Sequence, residues 1–380
     1  MTRTEKILAE LIALPSVNPA FAPAEKAPET KAHYGEKGVA EFLTQVAKRS
    51  GLDVELKEVL PSRFNLIVRL RPANRARRTI LLAPHLDTVV AAASQLTPRR
   101  KNGRMHGRGA CDTKGSVAAM FTALCELAEG QSRPQETEIV FAGLIDEENA
   151  QAGSRALAAS GFKADLAIVG EPTKLQVVTA HKGSLWLQLT TQGRAAHGAT
   201  PHLGKNAVLE MARIVDFLET DYAAQLRRRK HPLLGAGTVN VGTISGGTQP
   251  NVVPESCTIS IDRRTLPGET EASVRREIAA LLKKKKLSAK FSSAKLAPAL
   301  PLETNYKLPL IQNFLHNAGQ TKLVGVDYFC DAAVFSATGI PSVVFGPGDI
   351  AQAHTADEWI SLAELKRAKN MILQFLKSLP

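Results

Sequence analysis

Residues 79–87 read TILLAPHLD, and this stretch decides the fold. Its apolar, β-rich run, 79–83, is too short for a helix and closes on Pro84, after which His85 and Asp87 follow at once. The pattern of an apolar run ending in a polar group recurs along the chain. The run 138–145 leads into Asp146, Glu147 and Glu148, 166–169 into Glu171, and 342–345 into Gly346, Pro347, Gly348 and then His354. A further short run, 66–70, also reads as a strand, and helical periodicity appears at 35–48 and 115–127. Alternating strands and helices predict an α/β sheet with helices on both faces. Strand ends are where open sheets of this kind place their chemistry.

Around Lys182 the grammar changes. Residues 184–191 alternate like a half-exposed strand, 204–218 are helical, 238–244 and 257–262 alternate again, 269–283 are helical, and 288–291 read as a last strand. The order β-α-β-β-α-β is that of a ferredoxin-like split βαβ unit. From about Ala297 the chain returns to α/β grammar, with a helix near 308–318, a strand at 342–345 and a helix at 362–376. The expected organisation is an α/β domain of residues 1–182 and 297–380 with an α+β domain, 183–296, inserted into it. The stretch 296–302, carrying Pro298 and Pro301, is the expected return linker.

Bulk properties narrow the function. The 380 residues suit two domains, and 44% hydrophobic with 22% charged content is ordinary for a soluble globular protein. No apolar stretch approaches bilayer-spanning length. Ile7, Leu8, Leu11 and Ile12, interspersed with Glu5 and Glu10, predict an amphipathic N-terminal helix rather than a signal peptide, so the expected location is the cytoplasm. The net charge of +12 raises the question of nucleic acid, but its densest runs, 227–230 and 283–286, fall at expected helix C-termini, where cations complement the helix dipole. With aromatics at 5% and no recognised motif, no nucleic-acid partner and no membrane partner are expected. The scattered Cys111, Cys125, Cys257 and Cys330 read as small buried hydrophobes, not as a thiolate cluster.

The polar groups at the strand ends form a constellation. In H-x-D, His85 can ligate a metal while Asp87 accepts its other N–H, fixing the tautomer and raising ligand basicity; a structural histidine reads the same way. Asp112 lies in GRGACDTKG (107–115), where glycines let the backbone bend around a site; an aspartate before a helix is also an ordinary N-cap. Consecutive carboxylates at 146–148 repel one another at a buried strand end unless cations hold them, although a solvated acidic turn has the same sequence. Hydrolysis by an activated water needs one carboxylate on the metal and a free one for the proton, roles that Glu148 and Glu147 can divide. With Glu171 and His354, five potential ligands fall at five separate ends. Two imidazoles and several carboxylates suit a pair of divalent ions, zinc first.

The segments around His85, Asp112, Glu147, Glu148, Glu171 and His354 resemble those of the di-zinc aminoacylase, N-deacylase and glutamate carboxypeptidase family. Within it the chain is most similar to the acetylornithine deacetylase and succinyl-diaminopimelate desuccinylase branch. The similarity runs over nearly the whole chain. It implies a metallo-exopeptidase-like catalytic domain with the inserted domain as lid and dimerisation module, hence a homodimer. It also implies two Zn2+ ions, with Co2+ able to substitute. Asp112 would bridge them, His85 and Glu171 completing one site and Glu148 and His354 the other. Glu147 would be the general acid/base and Asp87 the orienter of His85. His197, in GRAAHG (193–198), would reach a neighbouring subunit's site and stabilise the oxyanion. Asn251, within SGGTQPNVVP (245–254), and Arg264, selected by the pattern D-x-R-x-x-P-G from Asp262 to Gly268, would hold a substrate carboxylate. The loop 90–98, VAAASQLTP, is shorter than is usual in the family and lacks its aromatic, which bears on the pocket rather than the metals. The resemblance thus implies a metal-dependent amidohydrolase acting on a small N-acyl amino acid, acetylornithine leading. Desuccinylation of succinyl-diaminopimelate and carboxypeptidase or dipeptidase activity are the alternatives.

Overall fold

The protein, here a computed structural model, is described over residues 1–23, 33–294 and 298–380. It divides into two compact units, one of Met1–Thr179, Thr304–Val324 and Cys330–Pro380, the other of Ala180–Glu303 and Gly325–Phe329. Of the expected return linker, 296–302, residues 296 and 297 lie outside the described residues, and the larger unit resumes at Thr304.

The centre of the larger unit is a parallel sheet. Arg78–Pro84 runs parallel to Thr137–Gly143 on one side and Leu166–Gly170 on the other, with Leu82 level with Phe141 and Ile168. Ser342–Val344 continues in parallel, Val343 beside Ile168. Beyond Thr137–Gly143 come two antiparallel strands, Arg63–Leu70 and then Asp53–Leu60 at the edge. Strands covered on both faces read as unbroken apolar runs, which is why the central ones are visible in sequence. Asp53–Leu60 (DVELKEVL) was not among the expected strands. It is an edge strand with most residues exposed or half-buried, so charges interrupt its apolar positions.

One face of the sheet packs on Lys114–Glu129, a helix buried on nearly every side. That helix in turn lies against Arg3–Ala13 and Leu362–Lys377. Phe121 and Phe141 meet edge to face with ring centroids 5.2 Å apart. Lys114 is itself buried; its Nζ donates to the Leu11 and Leu14 carbonyls at 2.7 and 2.8 Å, satisfying the C-terminal end of the first helix. The other expected helices appear as Lys37–Arg49 and Pro309–Asn317. Two short helices, Ala152–Ala159 and Ala332–Ser336, and a small sheet of Arg99–Lys101, Arg104–His106 and Trp359–Ser361 were not foreseen.

In the smaller unit Gly183–Gln192, Thr238–Gly246, Ser256–Thr265 and Lys290–Ser293 form one antiparallel sheet. Its order is second, third, first, fourth, that of a ferredoxin-like fold. Ser256–Thr265 alternates buried and half-buried residues along its length. Helices Ala207–Phe217 and Glu271–Lys284 bury Met211, Ile214, Val274 and Ile278 in a single core with this sheet. The first starts at 207 rather than 204 because the Asn206 side chain caps it, accepting from the Leu209 N–H at 2.9 Å. The α/β architecture with a smaller α+β unit inserted in the chain is as expected. All four cysteines are free and buried. Among the described residues no helix is long and apolar enough to cross a membrane.

Candidate metal centre

The parallel register brings the carboxyl ends of three strands level. Pro84 pairs with Gly170, and His85 bridges to Leu144, so His85, Glu171 and the 146–148 turn emerge together. Asp112 arrives from the loop before helix Lys114–Glu129, across a cis peptide bond to Thr113, and His354 from the loop beyond Ser342–Val344. His85 Nε2 lies 3.2 Å from Asp112 Oδ1 and 3.8 Å from Glu171 Oε1. His354 Nε2 lies 3.2 Å from Asp112 Oδ2 and 3.2 Å from Glu148 Oε2. Two triads result, His85–Asp112–Glu171 and Asp112–Glu148–His354, each with donor atoms within 4.8 Å of one another. They share Asp112, one oxygen facing each.

The electrostatics of this cluster fit divalent cations. Burial, and then neighbouring carboxylates, hold Glu147 and Glu171 well above the usual carboxylate range, and Glu148 is raised for the same reasons. Burial opposes the ionised form of Asp112 too, but hydrogen bonds from His354 and His85 outweigh it and keep its pKa low. The same contacts, to Asp112 first and then Glu148, lift His354 to about 10. So much buried negative charge calls for protons or cations, and two histidines with shared carboxylates are a donor set for zinc-like ions. Glu148 Oε1 supports this: it is buried and among the described residues no group donates to it.

Asp87 was expected to orient His85, and the structure divides that task. The closer contact of His85 Nδ1 is the Asp87 backbone carbonyl at 3.0 Å, with the carboxylate Oδ1 at 3.4 Å. The Asp87 carboxylate also accepts from the Glu147 and Glu148 backbone N–H groups, each at 3.1 Å, and from Asn18 Nδ2 at 2.7 Å. It therefore fixes the acidic turn as well as the imidazole. Asp146, at φ 67°, turns away from the triads and accepts from Asn18 Nδ2 at 3.0 Å and Arg63 Nη1 at 3.1 Å. Arg63 is clamped in turn by the buried Glu36.

Sequence reasoning missed Asn18, Asp331 and Glu358. Asp331 is buried, accepts from Ser154 Oγ at 2.6 Å and Gln151 Nε2 at 3.2 Å, and is pushed up to about 6, chiefly by burial. Its signal in sequence is slight: Cys330 precedes it as Cys111 precedes Asp112. Cys330 is raised well above the usual thiol range by burial, so it remains a thiol.

The other three expected site residues lie in the smaller unit. His197 and Asn251 come together there: His197 bridges to Val252, and the Gly198 N–H donates to the Asn251 carbonyl at 2.7 Å. Both are exposed beside a cavity of about 280 Å³ lined by Gly246, Thr248 and Val253. His197 Nδ1 accepts from the Ala199 N–H at 3.1 Å, leaving Nε2 as the protonated nitrogen of the neutral ring. Arg264 is half-buried and pairs with Asp262 at 3.0 Å. Its neighbour Arg263 is fully buried against Tyr222 and Glu269.

Known proteins resemble this chain over long spans. Acetylornithine deacetylase of Proteus mirabilis is 29% identical over 97% of this chain and 95% of its own. That of Vibrio vulnificus is 30% identical over 86% of this chain and 87% of its own. Among solved structures, aminopeptidase PepT of Bacillus cereus superposes with a TM-score of 0.78 at 22% identity, covering 99% of this chain and 97% of that one. A dinuclear metal binding peptidase of the M20 family from Bacillus subtilis reaches 0.71 at 13% identity, covering 99% and 97%. The description of peptidase family M20/M25/M40 matches residues 81–378, a span holding every member of both triads. The chain belongs to that family of metal-dependent hydrolases of amide bonds.

Proposed function

We propose that this protein removes the acyl group from an N-acyl amino acid, with N-acetylornithine as substrate. The observation that carries the chemistry is the division of Asp112, one oxygen toward each histidine. The substrate is drawn from the deacetylases at 29–30% identity. In this reading His85, Asp112 and Glu171 hold one Zn2+ and Asp112, Glu148 and His354 the other, with Co2+ able to replace them. Bound ions would supply Lewis acidity for the acyl oxygen and make a water acidic enough to attack at neutral pH.

Glu147 is the group left free to move protons. It belongs to neither triad and is half-buried, and its raised pKa suits a base that takes a proton from water and returns it to the leaving amine nitrogen. His197, with Nε2–H available, donates to the tetrahedral oxyanion in a partner subunit's site, and Asn251 and Arg264 hold the α-carboxylate. The smaller unit is the dimerisation module in this reading. We infer a cytoplasmic enzyme from four free thiols. A second reading, peptide hydrolysis, is favoured by the solved peptidases that share the fold; desuccinylation of N-succinyl-diaminopimelate is the third.

Amine release by zinc- or cobalt-loaded protein, measured across N-acetylornithine, N-succinyl-diaminopimelate, other N-acetyl amino acids and dipeptides, separates these. Marked preference for N-acetylornithine is the expected result. Preference for a dipeptide would replace the substrate assignment, as would no turnover by protein with two ions demonstrably bound; no turnover by a chain that binds no ions would remove the hydrolase reading.

A further inference from the structure

The Asp112 loop and the His354 loop are remote in sequence, and one buried carboxylate joins them. Glu358, 1% exposed, accepts four hydrogen bonds. Its Oε2 receives Arg108 Nη1 at 2.8 Å and the Gly109 N–H at 3.0 Å. Its Oε1 receives the Cys111 N–H at 2.8 Å and the Asp112 N–H at 3.0 Å. The backbone is joined as well, the Gly107 N–H donating to the Glu358 carbonyl at 3.0 Å. Gln95 closes the ring: its Oε1 lies 3.5 Å from Arg108 Nη2, and its Nε2 donates to the Thr355 and Ala356 carbonyls at 3.2 and 3.1 Å, the two residues after His354. Gly107 and Gly109, at φ 150° and 81°, let the loop curl around the carboxylate; a Cβ on Gly109 would lie 2.8 Å from Lys114 Cδ.

We propose that Glu358 is a positioning residue for the ion site formed by Asp112, Glu148 and His354, and rest this on the two-ion reading above. His85 and Glu171 are carried by paired strand ends whose register fixes them without help from Glu358. His354 has no such support. It lies in a loop at φ 62° with its side chain 55% exposed; the Cys111 thiol reaches that loop ahead of it, donating to the Asp349 carbonyl at 3.3 Å, and the Glu358–Arg108–Gln95 ring ties residues 355–358, which follow it, to the Asp112 loop. Loss of the ring therefore weakens one ion site more than the other. A residue that served folding alone would lower the melting temperature and leave ion binding in the folded protein untouched.

Glu358→Gln keeps the volume and tests the idea. Whichever way the amide lies, an NH2 replaces one oxygen and meets two donors, and Arg108 loses its counter-charge. Zn2+ titration of chelator-treated, refilled protein by calorimetry, with elemental analysis, gives the readout. Wild type is expected to take up two Zn2+ per chain. Glu358→Gln should hold the first near wild-type affinity and the second about 10–100-fold more weakly; the weakened event should be the one that His354→Ala abolishes. Folded Glu358→Gln that binds both ions as wild type does, or weakens both equally, overturns the proposal. If that variant does not fold, Gln95→Ala decides. It removes the tether to residues 355–356, with the Gln95 contacts to Arg108 and the Ala92 N–H, leaves the four hydrogen bonds of Glu358 in place, and should weaken the same event by a smaller factor; an unchanged second affinity overturns the proposal. A wild-type chain that binds no Zn2+ would instead remove the two-ion reading itself.

Discussion

Asp146, Glu147 and Glu148 are consecutive, yet each carboxylate faces a different environment. Asp146 turns to Arg63 and Asn18, Glu148 to His354, and Glu147 to neither triad. Glu147→Gln is expected to lower kcat by about 10²–10⁴ while leaving two ions bound, because only the proton carrier is lost. Loss of an ion in that variant would mean that base and ligand are exchanged. The cluster also sets a pH dependence. Without ions, the folded chain keeps protons on Glu147 and Glu171 that the unfolded chain has released, so stability falls as pH rises above the ordinary carboxylate value. His354 acts in the same sense: raised from 6.5 to about 10, its contribution is complete below 6.5 and lost as pH climbs through 10. The melting temperature of chelator-treated protein should therefore drop steadily from pH 6.5 to 10, and that of zinc-loaded protein much less. Parallel profiles would show that the ions do not replace these protons. At this scale the sequence was legible where an unusual residue type follows an apolar run, as with His85 and Glu171. It was silent at Glu358, because TADEW reads as a solvated turn and the four donors that bury that carboxylate come from elsewhere in the chain.

Elements covered on both sides announced themselves. The centres of 79–83 and its parallel neighbours, 80–83, 139–143 and 166–169, are apolar without interruption because they are buried on both faces. Helix Lys114–Glu129 has the same cause for its uniform burial, and it carries the load of three layers: the sheet beneath, Arg3–Ala13 and Leu362–Lys377 above. Phe121, fully buried against Phe141, is the test residue. Phe121→Ala should destabilise the chain by about 3–5 kcal/mol in urea unfolding. A cost below about 1 kcal/mol would mean that this helix is not the keystone of the unit. Elements with one open face were harder to read. Asp53–Leu60 alternates charge with aliphatic residues and pairs only with Arg63–Leu70, so its pattern reflects solvent more than core. Strands as short as Arg104–His106 carry too few residues for any period to show.

The chain as a whole leaves the larger unit after Thr179 and rejoins it at Thr304. The change of pattern near Lys182 and the proline-bearing stretch 296–302 were both visible in sequence, close to where the chain leaves and rejoins the larger unit. If His197 serves a partner's site as proposed, His197→Ala and Glu147→Gln chains should each be nearly inactive. Mixed and reassociated, they should recover about a quarter of wild-type activity, since half of the random dimers carry one complete site of two. No recovery, with mixed dimers demonstrated, would return His197 to the status of a surface loop residue. The crossing itself has another consequence. The Thr304 N–H donates to the Thr179 carbonyl at 2.9 Å, so the chain departs and returns at hydrogen-bonded neighbours. Just inside them Ala180–His181 and Leu302–Glu303 still pair within the large sheet, and the chain beyond that pairing is topologically a hairpin loop whose closure is already made at its base. A gene encoding such a fold can exchange or enlarge that loop without reordering the strands that carry the two triads.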